Sequence, residues 1–233
     1  MTDTSRPLAL VTGVGPGTGA SVVRRFAREG YRVAMLARDA NRLAALESEI
    51  PDTIAVPCDV SEVAALERAI ALVGNPRIVV HNAVGGAFGT FLEIEPEVLN
   101  RNFQVNTMAL LHLARRLAPA MIEAGEGAII VTGNTSALRG KAKFAGFAPT
   151  KAAQRILAEA IAREVGPKGV HVAYVVIDAV IDLEWTRTMF SKPAGDPFFI
   201  QPSAIAEEVW HVANQERSAW SFNVEVRPFA EDW

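Results

Sequence analysis

Between residues 12 and 19 the chain reads Thr12-Gly13-Val14-Gly15-Pro16-Gly17-Thr18-Gly19. Glycines at this density remove side chains from a turn, so that backbone N–H groups can close on an anion. Where such a turn opens a helix, the first unpaired N–H groups and the helix dipole favour a pyrophosphate. Gly15, Gly17 and Ala20 fit the G-x-G-x-x-G/A spacing of a dinucleotide-binding turn, and Gly13, Gly17 and Gly19 make a second register; the plain alternative is a tight structural turn. Other chemistry has less support. His81, His112, His171 and His211 are dispersed without paired carboxylates, so no metal site is expected; His81, beside a second glycine-bearing segment, stands nearest to chemistry. Cys58, the one cysteine, excludes an internal disulfide and reads as a small buried residue, since no neighbour would activate its thiol. No Gly-x-Ser-x-Gly elbow is present to support a serine hydrolase.

The glycine turn needs a strand before it and a helix after it, and the chain supplies both. Short branched apolar runs at 7–12, 32–37, 53–56, 78–81, 128–132 and 170–176 predict strands buried on both faces of a parallel sheet. Helical spacing predicts helices over 17–28, 41–49, 61–73, 97–124, 150–165 and 203–214. Ser61 is the expected N-cap of the third helix, and Gly166-Pro167 the expected close of the fifth. A repeated βα order implies right-handed crossovers and an α/β, doubly wound parallel sheet of Rossmann type with helices on both faces, whose ligands bind beyond the carboxyl ends of the strands. Residues 222–227 alternate apolar and polar and predict a last strand at an edge. The stretch 178–202 breaks the pattern and is expected to form a substrate-side connection, in which Trp185, Phe190, Phe198 and Phe199 either line an apolar pocket or pin the loop.

With 233 residues, 50% of them hydrophobic and 21% charged, one globular NAD(P)-binding-type domain over 1–233 is expected. A net charge of −3 argues against nucleic acid or an anionic membrane as partner. Met1 to Pro7 is polar and lacks the apolar core of a signal peptide, and no apolar run reaches membrane-spanning length. A soluble, cytoplasmic protein acting on a small molecule is expected.

Several segments together resemble the short-chain dehydrogenase/reductase family, in order and at its spacing, from Leu8 to about Pro228. Gly13, Gly17 and Gly19 match its T-G-x-x-x-G-x-G turn. Asp59-Val60 resembles its adenine-contacting segment, and His81-Asn82-Ala83-Val84-Gly85 its N-N-A-G segment. Asn106 falls at its structural and proton-relay Asn, and Lys151-Ala152-Ala153 resembles the end of its Y-x-x-x-K-A-A helix. The resemblance implies an NAD(P)-binding oxidoreductase whose cofactor lies against Gly13, Gly15, Gly17, Thr18, Gly19, Asp59, Val60, Asn82, Ala83 and Lys151. Ala37 stands where members preferring NAD carry Asp, and Arg38 follows, which implies NADP(H) over NAD(H), without a metal. Asp39 would cap the next helix rather than bind ribose. The small residues Ala152, Ala153, Ala158 and Ala160, on a helix that forms interfaces in many members, imply a homodimer or homotetramer; ordinary packing against the sheet is the alternative.

The resemblance fails at its chemical centre. The family's general acid is a Tyr four residues before the Lys, and that position is Phe147, whose ring has no ionisable proton. The alternative position six residues before the Lys is Ala145, and the only tyrosines are Tyr31 and Tyr174, both expected in the core or at its boundary. Asn134 replaces the oxyanion-orienting Ser; its amide can orient an oxygen but not protonate it. Asp178-Ala179 replaces Pro-Gly after the sixth strand. Candidates for the proton donor are Lys151, a water held by Asn106 and Lys151, and Asp178, although an Asp at a strand exit commonly caps backbone N–H groups. Three readings stand: an oxidoreductase with a non-standard active site, a catalytically inactive NADP(H)-binding or regulatory protein, and a lyase or isomerase on the same fold.

Overall fold

The computed structural model describes residues 6–230; residues 1–5 and 231–233, and with them the start of the polar leader and both ends of the expected domain, lie outside the described residues. Strands β1 (Leu8–Thr12), β2 (Arg32–Ala37), β3 (Thr53–Pro57), β4 (Ile78–His81), β5 (Gly127–Asn134) and β6 (Val170–Ile177) alternate with helices α1 (Thr18–Arg28), α2 (Ala40–Glu49), α3 (Val63–Val73), α4 (Pro96–Phe103), α5 (Ala109–Ala124) and α6 (Ala148–Val165). The connection that follows carries β7 (Val180–Ile181), α7 (Glu184–Phe190) and β8 (Phe199–Ile200), and α8 (Pro202–Ala213) and β9 (Asn223–Val226) complete the chain. The main sheet runs β3-β2-β1-β4-β5-β6-β9 with every pairing parallel, which is the doubly wound fold expected. β9 is the expected edge strand.

Alternating side chains of the central strands feed two apolar cores. Leu10, Leu36, Val79, Val131 and Val172 pack with α3, α5 and α6, while Val11, Met35, Val80, Ile130 and Val175 pack with α1, α2 and α8. Because both faces are covered, strands read as continuous apolar runs rather than as alternation. The order reverses between β1 and β4, so the turns after these two strands meet at the carboxyl edge.

Local signals fared unevenly. Asp39 caps α2, accepting from Arg42 N at 3.0 Å. Ser61 is not a cap; it donates its N–H and hydroxyl to Asp59 Oδ1 at 3.0 and 2.7 Å, and α3 begins after Glu62. Gly166 keeps helical angles (φ −56°) and enters a 3₁₀ turn, since Pro167 has no N–H for another α-helical bond; the left-handed residue is Gly169 at φ +90°. The single helix expected over 97–124 is interrupted by a π-helical turn at Gln104–Met108. In the 178–202 connection Phe199 is buried and stacks edge-on with Phe198, pinning the loop, whereas Trp185 is 59% exposed.

Candidate active site

The glycine turn is shaped by backbone crowding. Gly13 sits at φ +68°, and a Cβ there would lie 2.5 Å from the Ala83 backbone; one on Gly19 would lie 2.5 Å from the Gly13 carbonyl oxygen. The turn after β4 is thereby pressed onto the turn after β1. Asn82 Nδ2 donates to Gly13 O at 2.9 Å, and Ala83 N donates to Thr12 Oγ1 at 3.2 Å. Around Gly15 there is open space. Helix α1 starts from Gly17 with no side-chain cap, and the Thr18 hydroxyl is buried without a hydrogen-bond partner. A buried hydroxyl left unsatisfied at an uncapped helix N-terminus fits an anionic group with acceptor oxygens, and a dinucleotide pyrophosphate supplies one. Leu183 reaches across from the connection to cover Gly17, its Cδ2 within 2.8 Å of where a Cβ would stand.

At the end of β2, Arg38 is exposed and enters no hydrogen bond or ion pair among the described residues. Its charge acts on Asp59. Burial works against ionisation of that carboxyl, but the two Ser61 bonds and the charges of Arg38 and Arg101 prevail and hold it below the usual carboxylate range. Val60 is buried beside it.

A second group of polar residues lies wholly inside the protein. Lys151, on α6, is 2% exposed; its Nζ donates to Thr132 O at 3.1 Å and to Gln154 Oε1 at 2.5 Å. Gln154 Nε2 donates to Asn106 O at 2.7 Å. His81 Nε2 points at the same carbonyl at 3.3 Å, and its Nδ1 lies 2.9 Å from Thr12 Oγ1. The Asn106 side chain spans the chain turns around it, accepting from Gly85 N and donating to Gly85 O and Thr150 Oγ1. The tyrosine that the sequence places in the core touches this network: Tyr174 OH lies 3.3 Å from Gln154 Oε1 and 3.5 Å from Lys151 O. Burial pushes the Lys151 amine down to about 7. Burial, followed by the Lys151 charge, pushes His81 down to about 4.

Phe147 caps α6 and is 7% exposed, its ring 6.3 Å from that of Phe88. Asn134 spends Oδ1 on the N–H of Ser136 at 3.1 Å, and its Nδ2 bonds no protein group among the described residues. Asp178 is tied by its N–H to Val226 O at 2.9 Å, and among the described residues its carboxylate forms no backbone cap. A cavity of about 600 Å³ lies beside Phe147, lined by Phe144, Ala145, Ala148 and Ala152 but by neither Asn134 nor Lys151. Glycine turn, Asn82, Asn106 and Lys151 are thus brought into one connected region, while Arg38 and Asp59 lie at its rim. Gln154 was missed by sequence reasoning. Its signal was a polar side chain on the stripe 147, 151, 154, 158 of an otherwise small and apolar helix face.

The profile of the short chain dehydrogenase family matches residues 7–189. The chain belongs to that family. This short-chain dehydrogenase is 32% identical to D-erythrulose reductase of Gallus gallus over 186 residues, 79% of the chain and 75% of the relative. It is also 32% identical to L-xylulose reductase of Homo sapiens over 208 residues, covering 88% and 85%. Among solved structures, a metagenomic short-chain oxidoreductase in complex with NADP superposes with TM-score 0.82 at 29% identity, covering 97% of this chain and 98% of that one. As a short-chain dehydrogenase it is an oxidoreductase in type. Among the described residues no helix is long and apolar enough to cross a membrane, and no group of three His, Cys, Asp or Glu is placed to hold a metal ion.

Proposed function

We propose that this short-chain dehydrogenase is an NADP(H)-dependent oxidoreductase that interconverts a small carbonyl compound and its alcohol, with the Lys151 amine as the proton-bearing group where relatives use a phenol. The observation that carries the reading is a lysine 2% exposed whose amine is held by two neutral acceptors, Thr132 O and Gln154 Oε1; burial pushes that amine down to about 7, so that its proton is transferable near neutral pH. NADP(H), when bound, supplies or accepts the hydride. Gly13, Gly15, Gly17, Thr18 and Gly19 would form the bed of its pyrophosphate, with the Thr18 hydroxyl and the start of α1 as donors, and Asp59, Val60, Asn82 and Ala83 would border the rest. Arg38 would supply the positive charge for a 2′-phosphate, with Ala37 offering no acidic competitor, which favours NADP(H) over NAD(H).

In the reducing direction Asn134 Nδ2 donates a hydrogen bond to the substrate oxygen as negative charge develops there, and the Lys151 ammonium gives that oxygen its proton. Phe147 walls the site and cannot take part. A water shared by Asn106 and Lys151 is disfavoured, because Gln154 and His81 already address the Asn106 carbonyl. Asp178 makes no contact with Lys151 and is the weaker donor. We place the protein in the cytoplasm as one domain over 1–233, assembled as a homodimer or homotetramer.

A second reading, a protein that binds NADP(H) without turnover, is favoured by the near-complete burial of Lys151. A carbonyl panel with NADPH separates the two. Slow turnover is expected, rising about 10²–10⁴-fold in Phe147→Tyr combined with Asn134→Ser, the usual worth of a positioned general acid. Wild-type rates equal to the variant's would refute the claim that Phe147 is limiting, and NADPH binding without turnover in either protein would decide for the second reading. Fluorescence titration tests the cofactor: tighter binding of NADH than of NADPH would overturn the preference.

A further inference from the structure

Gln154 lies one turn beyond Lys151 on α6 and is fully buried. A primary amide in such a place is costly unless both ends are bonded, and here both are. Oε1 receives the Lys151 ammonium at 2.5 Å and faces the Tyr174 hydroxyl at 3.3 Å, while Nε2 donates to the Asn106 carbonyl at 2.7 Å. That carbonyl belongs to the π-helical turn, whose wider winding turns it toward side-chain donors. The amide therefore has one orientation: reversing it would set Nε2 against the ammonium and Oε1 against a carbonyl.

We propose that Gln154 is the positioning residue of the reaction centre: clamped on the Asn106 carbonyl, its neutral amide anchors the Lys151 amine without a counter-charge and so keeps the proton of that amine available to the substrate. The titratable groups that face Lys151 are His81 from β4 and Tyr174 from β6, and neither is an anion near neutral pH. The described residues place no carboxylate against it; burial is the sole cause of its lowered pKa. A glutamate at 154 would form a buried ion pair and trap the proton on Lys151. An apolar residue would leave one ammonium N–H without an acceptor and drive the proton off. An amide does neither, and it cannot itself relay a proton, so Lys151 exchanges its proton only on the side away from Asn106.

The inference rests on Lys151 as the proton-bearing group, and its test reads that group directly. The protein is labelled with isotopic lysine, and the side-chain signal of Lys151, assigned by its loss in Lys151→Met, is followed by NMR against pH. The wild-type midpoint is expected near 7. Gln154→Glu should raise it by about 1–3 pH units and Gln154→Met should lower it by about one. Opposite displacements are the signature of an anchor acting through charge and hydrogen bonding, which a merely structural role would not produce. Thermal unfolding identifies a variant that fails to fold; the other then carries the test alone. Midpoints unchanged in the folded variants, or moving in the same direction in both, overturn the proposal. If the midpoints move as stated while no carbonyl is turned over, the positioning role stands and the reading of the protein as a reductase falls.

Discussion

A lysine and a histidine buried in one hydrogen-bonded network, with no acid between them among the described residues, have to compete for protons. Asn106 O can only accept, so His81 Nε2 carries a hydrogen; the neutral ring, which burial favours, then accepts at Nδ1 from the Thr12 hydroxyl, whose oxygen also accepts from Ala83 N. That assignment requires the neutral imidazole. With a folded value of about 4 against 6.5 when unfolded, the unfolded chain takes up a proton between these limits that the folded chain refuses. Stability from this residue is therefore complete above about pH 6.5 and falls as the pH drops toward 4, by about 3 kcal/mol over the whole window. Urea unfolding at several pH values, compared with His81→Gln, checks the sign: the variant should lose this part of the acid slope, and an identical slope in both proteins would refute it. Lys151 acts in the same sense higher up, its burial weakening the fold below about 7 and ceasing to do so as the pH rises through 10.5, where the unfolded amine also loses its proton.

Where two elements meet, side chains have been traded to make this network. Val131 pairs with Tyr174 in the β5–β6 register, so Gly133 lies diagonally beyond it on the same face. A Cβ on Gly133 would lie 2.1 Å from the Tyr174 ring. The phenol reaches Gln154 only because β5 is bare there. Gly133→Ala should destabilise by about 1–3 kcal/mol or more through overpacking, and should cost much less when introduced into a Tyr174→Ala background; chemical unfolding of the double mutant against both single mutants decides, and strict additivity would sink the coupling. At the other turn, Gly19→Ala drives a methyl against the Gly13 carbonyl and the Val14 backbone, 2.5 and 2.7 Å away. It should abolish NADPH binding in a fluorescence titration, and unchanged affinity would show that this turn is not the pyrophosphate cradle. The π-helical turn escaped the periodicity that revealed its helix, because a change of winding confined to one turn leaves too few apolar positions to read in a single sequence.

Over the whole molecule, parallel strand order brings the turns after β1, β4 and β5 to one edge, and α6 lays Lys151 beneath them. The opposite side of α6 bears on assembly: Ile156 is 60% exposed and Ala160 is exposed, while Ala158 is in the core and unavailable to a partner. Sedimentation is expected to show a dimer or tetramer, and monomer alone across the concentration range would remove that proposal. The order of strands and helices, the glycine turn, the cap at Asp39 and the four-residue spacing of Phe147 and Lys151 were legible in the sequence, because each is a local matter of periodicity, backbone freedom or helix geometry. Asn106 and Lys151 were legible as candidates, but their condition was not. That Lys151 has neutral partners among the described residues, that Gln154 joins it to Asn106, and that Tyr174 meets Gln154 depend on groups from β4, β5, β6 and α6, as far apart as residues 81 and 174. Their protonation is set by burial and by which neighbours share that burial, and only the folded sheet brings those neighbours together.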